Sequence, residues 1–180
     1  KALRGSDADG ALYWMARMIE GGQDPLIIFR RAIAMAAEDI GMADPNALQV
    51  AVGARQAFQI LGPPEGFLPL AEMTIYLATA PKSNASYRAL NAALDAARKT
   101  PAAAVPLHIR NAPTRLMKDL GYHEGYRYAH DYDGSFVPQE HLPDELRGAR
   151  FYEPGALGFE KDVRKRIEYW DRLRREAESE

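Results

Sequence analysis

Signals for the start and end of helices recur along the first 100 residues of the chain, and they constrain its fold more than any other feature. Asp24-Pro25 and Asp44-Pro45 each join an aspartate, which accepts hydrogen bonds from free backbone amides, to a proline suited to the first helical position. Ser6 with Asp9 fits a capping box at an earlier start. Because these signals alternate with apolar segments, they predict a series of short α-helices.

The apolar residues between these signals follow the helical period. The segment 47–61 has few charges and is apolar almost all round, so we expect it at the centre of the core. Five helices joined by short links favour an antiparallel all-α bundle as the core of the domain over residues 1–100. The first helix opens at Ser6 and ends near Gly21, and the other four are predicted over residues 25–41, 47–61, 68–79 and 84–99.

Beyond the fifth helix the chain becomes loop-rich. Prolines interrupt it, and only residues 114–120 keep a helical pattern before the last helix, which is predicted over residues 159–178. Tyrosines recur over residues 122–137, where two interpretations stay open: a loop, or a small hairpin that turns at Asp133-Gly134. We expect residues 101–180 to pack on the same domain as a loop-rich extension with a charged C-terminal helix.

Composition narrows the classes of function. The 180 residues include no cysteine, which excludes thiol nucleophiles, thiolate zinc sites and disulfides. Lysine and arginine number 23 against 25 acidic residues, so the positive excess of a dedicated nucleic-acid module is missing and any DNA contact must come from a local patch. No apolar run approaches the length that spans a bilayer, so we expect no membrane contact and a cytoplasmic location.

Familiar catalytic motifs are missing from the sequence. It has no G-x-x-x-x-G-K-[ST] loop to hold phosphates, no G-x-S-x-G and no H-E-x-x-H. The densest group of reactive side chains is His123, Glu124, His130 and Asp131, for which two interpretations stay open: a metal site that supports hydrolysis, or aromatic packing with polar tips on a loop. The spacing of the histidines matches no common metal site, so we predict no metal here.

Four basic residues are candidates for contacts with phosphate or DNA. Lys82 precedes the fifth helix, where free amides and a lysine suit an anion, although capping of that helix by its neighbours explains the same pattern. Arg110, Arg115 and Lys118 form a basic cluster with few acidic neighbours. The basic residues near the C-terminus alternate with acidic ones, which is typical of an ion-paired, solvated surface.

Several stretches of the sequence match the motifs of one known family. In order along the chain, they are Arg4-Gly-Ser-Asp7, Ala37-Glu-Asp-Ile-Gly41, Ala80-Pro-Lys-Ser-Asn-Ala85, His108-Ile-Arg-Asn-Ala-Pro-Thr114, Leu116-Met-Lys-Asp-Leu-Gly-Tyr122, Gly125-Tyr-Arg-Tyr-Ala-His-Asp131 and Phe151-Tyr-Glu-Pro154. The motifs cover nearly the whole chain, which therefore resembles the C-terminal region of the replication-associated recombination protein A family, also called maintenance of genome stability protein A. The eukaryotic relative of that family is the Werner helicase-interacting protein.

The resemblance implies a fold and a function. Members of this family are AAA+ ATPases related to clamp loaders, and they act at stalled or damaged replication forks. Their C-terminal region is helical, is related to the clamp-loader collar and assembles the protein into a homotetramer, whereas ATP and magnesium bind an N-terminal module. We therefore expect a fragment without catalysis or cofactor of its own. Its expected partners are further copies of itself and, through the full-length protein, DNA and single-strand-binding protein.

A surface that joins identical copies must be apolar and exposed to an extent that a monomer would not tolerate. The fourth and fifth predicted helices have short links and broad faces, and the alanines of the fifth allow close approach of another helix. We therefore predict that the interface lies on these two helices, near Tyr76, Tyr87, Leu90 and Leu94.

Two further expectations concern DNA. Lys82 lies in the most family-like stretch, and we expect it to influence the DNA-stimulated ATPase activity of the full-length protein. The alternative function for this chain is a DNA-binding helical module that uses the local cluster of Arg110, Arg115 and Lys118.

Overall fold

The computed structural model describes residues 1–179, and these residues form helices, turns and loops without any strand. The all-α fold class is therefore confirmed. The seven α-helices among the described residues are α1 Ala8–Glu20, α2 Pro25–Met35, α3 Asn46–Leu61, α4 Phe67–Thr79, α5 Ala85–Lys99, α6 Arg115–Asp119 and α7 Glu160–Glu178. None of the described helices is both long enough and apolar enough to cross a membrane.

Aspartates begin the first three helices. The carboxylate of Asp24 accepts from the N–H of Leu26 at 2.9 Å, and that of Asp44 accepts from the N–H of Asn46 at 3.1 Å, as predicted. The capping box at Ser6 is wrong. Ser6 has a φ of 58°, outside the extended conformation that a capping residue needs, and Asp7 accepts instead from the N–H of Gly10.

A single π-helical turn, Ala36–Ile40, continues α2 and ends at Gly41. Gly41 has a φ of 50°, and a Cβ atom on it would lie 3.2 Å from Oγ of Ser86 and 3.3 Å from the carbonyl oxygen of Ser83. Glycine is therefore required here both for its backbone conformation and for the close approach of the turn before α5. The predicted end of the second helix is confirmed.

The described chain forms two compact units. The first unit contains Lys1–Leu90 and Tyr152–Arg164, and the second contains Asn91–Phe151 together with the chain from Lys165 onward. Neither α5 nor α7 belongs to one unit alone, since the division falls within each of these helices.

Helix α4 is the centre of the first unit. It packs against α1 and α3, while α2 packs against α3. The expectation that the third helix is central is wrong, because α3 buries only two alanines and leaves Ile60 84% exposed. α4 has a single charged residue, Glu72, and large apolar residues on several sides. This composition is typical of a helix at the centre of a core. The largest fully buried apolar side chains of the unit are Phe29, Ile40, Leu70, Met73 and Leu77.

The segment before α7 is also part of the first unit. The N–H of Phe159 donates to the carbonyl oxygen of Ala43 at 2.8 Å. Gly158 has a φ of 54°, and a Cβ atom at this position would overlap the same carbonyl oxygen. Only glycine therefore fits the point at which the start of α7 meets the turn before α3.

The second unit has little interior. Val137 is its one buried apolar residue within the described part of the chain. Of the two interpretations of residues 122–137, the loop is confirmed and the hairpin is wrong: N–H groups of Asp131 and Ser135 donate to the carbonyls of Tyr128 and Tyr132, three residues back in each case. These local turns use backbone groups that a pair of strands would need.

Ring contacts and ion pairs connect α7 with other residues of the second unit. The rings of Phe136 and Trp170 are stacked, with centroids 6.3 Å apart, and the guanidinium of Arg174 lies 5.3 Å from the Phe136 centroid. Asp171 pairs with Arg150 at 2.6 Å and with Arg174 at 3.0 Å. The predicted ion-paired surface of the last helix is confirmed.

Candidate functional site

The turn before α5 brings together motifs that are far apart in the sequence of the first unit. The N–H of Ser83 donates to the carbonyl oxygen of Asp39 at 2.8 Å. Oγ of Ser83 accepts from the N–H of Ala85 at 3.2 Å, so Ser83 caps α5 as the capping interpretation predicts. We name Pro81–Ser86 the central turn.

The ammonium group of Lys82, in the central turn, forms hydrogen bonds with acceptors of its own unit. It donates to the carbonyl oxygens of Ala78 at 2.9 Å and Ala80 at 2.6 Å, and to Oγ of Ser6 at 3.3 Å. These bonds cap the C-terminus of α4, where a positive charge is favourable. Burial lowers the pKa of Lys82 from its usual value. The role of Lys82 in DNA contact stays a prediction.

An arginine beside the central turn binds the chain that precedes α1 to the end of α2. Nε of Arg4 lies 2.8 Å from one carboxylate oxygen of Asp39, and Nη2 lies 3.0 Å from the other. This two-pronged geometry is the strong form of the arginine–carboxylate pair. The hydrogen bond from Arg4 to Asp39 raises the pKa of the guanidinium. Motifs around residues 4, 39 and 82 therefore meet at one place.

A fully buried carboxylate completes this cluster. Oε1 of Glu160 accepts from the hydroxyl of Tyr152 at 2.8 Å, and Oε2 accepts from the N–H of Gly155 at 2.9 Å. Burial, with a smaller contribution from the bond to Glu160, raises the pKa of Tyr152. A Cβ atom on Gly155 would overlap Oε2 of Glu160 and lie 3.2 Å from Oγ of Ser83.

Sequence reasoning missed Glu160, because its position in a charged helix suggests a solvated side chain. The sequence feature that could have indicated its burial is the motif around Tyr152 and Gly155, which precedes the helix. In the part of the chain that the structure describes, every buried side-chain nitrogen and oxygen has a hydrogen-bond partner. The polar groups around the central turn therefore satisfy one another, as expected of a cluster that joins segments of a fold.

The four residues predicted at an interface lie in different environments. Tyr76 is half-buried against the core, and its hydroxyl donates to Oδ2 of Asp44 at 2.7 Å. That hydrogen bond is the main cause of the raised pKa of Tyr76. Tyr87, Leu90 and Leu94 are 49%, 58% and 43% exposed. The three exposed residues follow one stripe of α5, which Tyr76 does not share.

Two of the three predicted basic residues of the second unit lie beside Tyr122. The guanidinium of Arg110 stands 4.9 Å from the centroid of the Tyr122 ring, and its Nε donates to the carbonyl oxygen of Val105 at 2.6 Å. Lys118 is exposed and lines a cavity together with Tyr122. Arg115 is exposed at the start of α6 and does not line this cavity.

We name this cavity the α6 cavity. Its volume is about 680 Å³. The sequence alone did not connect Tyr122 or His123 with the basic cluster, since His123 was weighed there for a metal site or for aromatic packing. The cavity is lined by Asn111, Ala112, Pro113, Lys118, Tyr122, His123 and Glu124.

The candidate hydrolytic residues do not form a metal centre in the structure. Over residues 1–179, no three histidine, aspartate or glutamate side chains group closely enough to hold a metal ion. The ring of His123 lies 4.8 Å from that of Tyr126, and His130 lies 5.1 Å from Tyr128. These ring contacts agree with the aromatic-packing interpretation.

Comparison with known proteins identifies similar sequences over most of the chain. Residues 5–171 match the family described as MgsA AAA+ ATPase C terminal. The chain is 49% identical over 174 residues to replication-associated recombination protein A of Coxiella burnetii, covering 96% of the chain and 40% of that protein. It is 48% identical over 168 residues to the protein of the same name from Escherichia coli K12, covering 93% of the chain and 38% of that protein.

A eukaryotic sequence is also similar. The ATPase WRNIP1 of Dictyostelium discoideum is 43% identical over 154 residues, which cover 85% of the chain and 18% of that protein. The chain thus spans about two fifths of the length of the bacterial relatives it matches.

Proposed function

The chain belongs to the family of MgsA AAA+ ATPase C-terminal regions, and from this premise we propose that it joins copies of a longer ATPase into a homotetramer. In this proposal ATP and magnesium bind a separate module, and the chain itself supplies assembly rather than catalysis. The complete protein is a DNA-dependent ATPase of the cytoplasm that takes part in replication-associated recombination and meets DNA and single-strand-binding protein there. The names of the bacterial relatives support this context.

The observation that carries the proposal is the exposed apolar stripe of α5. Tyr87, Leu90 and Leu94 recur at helical spacing, and each is more than two fifths exposed. Full burial of one leucine side chain stabilises a contact by roughly 1.5–3 kcal/mol. An amphipathic helix that leaves such a stripe in water is typical of a surface that meets another chain.

Light scattering coupled to gel filtration tests the assembly directly. We expect the chain to elute with the mass of four copies at micromolar concentration. Replacing both Leu90 and Leu94 by Glu places charge on the stripe, and the mass should fall below that of the tetramer. Leu116→Glu is the matched control, because Leu116 is 68% exposed and belongs to another helix, α6. A wild-type chain that stays monomeric, or a double variant that stays tetrameric, contradicts the proposal.

A second candidate function is DNA binding through the basic cluster. Arg115 and Lys118 are exposed, and neither has an ion pair among residues 1–179. Free cations of this kind bind phosphates in a salt-dependent way. Four copies of a modest patch gain affinity through avidity, so this function is compatible with a tetramer.

Anisotropy with labelled DNA tests the second candidate. Replacing Arg110, Arg115 and Lys118 by alanine should weaken binding and reduce the slope of log K against log salt by roughly 0.7 for each single-strand phosphate contact that is lost. Arg98→Ala is the control, since Arg98 already pairs with Asp95. Unchanged affinity in the triple variant would rule out this cluster as the DNA site.

A further inference from the structure

We propose that the α6 cavity is a base-stacking site for single-stranded nucleic acid, with one base against Tyr122 and His123 and a phosphate at Lys118. The proposal rests on the DNA-binding candidate function above and adds the class of nucleic acid and the residues that recognise it. It also gives a role to the motifs at 108–114 and 116–122, which the contacts of the first unit do not explain.

The walls of the cavity have the chemistry of a base-binding slot. Pro113, Tyr122 and His123 contribute ring-bearing side chains to the lining, and the volume of about 680 Å³ is within the usual range for small-molecule pockets. Stacking on aromatic rings accepts any base, because every base has a π face.

The rings are held before any ligand binds. Arg110 lies against the Tyr122 ring, and Tyr126 packs against the His123 ring at 4.8 Å. The N–H of His123 donates to the carbonyl oxygen of Leu107 at 2.9 Å. His123 also has a φ of 67°, a conformation that is uncommon for residues other than glycine. Rings fixed in this way lose little freedom when a base stacks on them.

The polar groups at the cavity suit a nucleotide. The side-chain amide of Asn111 has no hydrogen-bond partner among the described residues, so its donor and acceptor are both available to a base edge. Lys118 offers a free ammonium to a phosphate, and Arg110 adds a second positive charge beside Tyr122. Lys118 and Glu124 balance each other in the lining, so the positive excess comes from Arg110 beside Tyr122.

The geometry favours a single strand over a duplex. Bases in a duplex are stacked on one another and present only their edges in the grooves, so they have no free face for Tyr122 or His123. A single strand can splay one base into the cavity while its backbone follows the basic residues outside. The structure therefore assigns the α6 cavity to unpaired bases.

Fluorescence anisotropy with labelled oligo(dT) of about 20 nucleotides tests the proposal, since one site of this kind covers fewer nucleotides than that. Tyr122→Ala should weaken binding about tenfold because one stacked base is lost. Tyr122→Phe keeps the ring and should bind within about twofold of the wild type. Tyr128→Ala is the matched control, because Tyr128 is 54% exposed and lies outside the cavity lining.

A probe of the same length without bases separates stacking from charge. The wild type should bind this abasic probe about tenfold more weakly than oligo(dT), and Tyr122→Ala should then make no further difference. Equal affinity for both probes, or an unchanged affinity in Tyr122→Ala, overturns the base-stacking site. Competition by free dTMP at concentrations near the dissociation constant of oligo(dT) would assign the cavity to a mononucleotide and also overturn the proposal.

The outcomes distinguish this inference from the functions proposed above. If the alanine triple variant at Arg110, Arg115 and Lys118 loses affinity while Tyr122→Ala does not, DNA binding by the cluster stands and the stacking site fails. The mass of Tyr122→Ala in light scattering should remain that of the wild type, because Tyr122 is not part of α5. Circular dichroism of the Tyr122→Ala and Tyr122→Phe variants verifies that both are folded.

Discussion

The two units of the chain are stabilised by different interactions. The first unit buries large apolar side chains such as Phe29, Leu70 and Leu77, and its polar groups meet across long stretches of sequence. The second unit buries only Val137 among its described apolar residues and relies on local turns, ring contacts and ion pairs. A segment with so little interior keeps its aromatic and basic side chains at the surface, where they can bind a partner.

The largest expected effect comes from a pair of glycines, one in each unit. Gly158 and Gly125 both have a positive φ, but a Cβ atom would overlap the carbonyl oxygen of Ala43 only at Gly158 and has open space at Gly125. Gly158→Ala should lower the free energy of unfolding by about 4 kcal/mol, because backbone must shift. Gly125→Ala should cost about 1 kcal/mol for its conformation alone. Urea unfolding measures both, and equal losses would contradict the contrast.

The second largest effect on the free energy of unfolding is expected from a buried leucine of the first unit, compared with an exposed leucine of the second. Leu77→Ala removes a fully buried side chain and should cost about 3 kcal/mol through lost burial and a residual cavity. Leu116 is 68% exposed in the second unit, and Leu116→Ala should change stability by less than about 0.5 kcal/mol. Thermal and urea unfolding of the two variants provide the test. A large loss for Leu116→Ala would mean that Leu116 is packed against other side chains of the second unit.

A third prediction uses the raised pKa of Tyr152. Tyr152→Phe removes a hydrogen bond to the buried carboxylate of Glu160 and should cost about 2 kcal/mol near neutral pH. Because folding raises the pKa of this phenol, its contribution is complete below the unfolded pKa of about 10 and is lost as pH rises above it.

The wild type should therefore lose more stability than Tyr152→Phe between about pH 8 and pH 11, which brackets the unfolded pKa of tyrosine. Tyr132→Phe is the control, because the Tyr132 side chain is 42% exposed in the second unit. Urea unfolding at several pH values measures the difference. The same alkaline loss in wild type and Tyr152→Phe would exclude this phenol as the cause.

The smallest expected effect concerns the ion pairs of the second unit. Asp171→Asn weakens the contacts with Arg150 and Arg174 and should cost about 1 kcal/mol, less at high salt. Asp144→Asn is the matched control, since the Asp144 side chain is 88% exposed beside Arg147 and should contribute less. If the loss of stability in Asp171→Asn does not depend on salt, the effect comes from packing and not from charge.

Local sequence signals predicted the helices well. Asp24 and Asp44 begin helices as expected, Gly41 ends one, and Thr114 caps α6 by accepting from the N–H of Met117 at 3.3 Å. Each of these signals acts between residues close together in the chain, so the sequence alone contains all the information that is needed.

Contacts between residues that are far apart in the sequence could not be predicted from such local signals. The contact of Lys82 with Ser6 and that of Gly155 with Glu160 depend on how the helices pack, which no local pattern encodes. The hairpin failed for a related reason. Alternating tyrosines fit a strand, but a strand also needs a partner strand. The backbone groups from Tyr128 to Ser135 form hydrogen bonds with one another in local turns instead. The α6 cavity likewise depends on how residues 111–113 fold against residues 118–124, which no local pattern encodes.

The discontinuous sequence of the first unit has a consequence for its biosynthesis. Its second segment, Tyr152–Arg164, leaves the ribosome only after the whole of Asn91–Phe151 has been translated. At a translation rate of roughly 5–20 residues per second, the nascent helices wait on the order of ten seconds for Gly158 and Glu160. Until then Ala43 and the central turn lack these contacts, so a nascent chain stalled before residue 152 should be more sensitive to protease than the released protein.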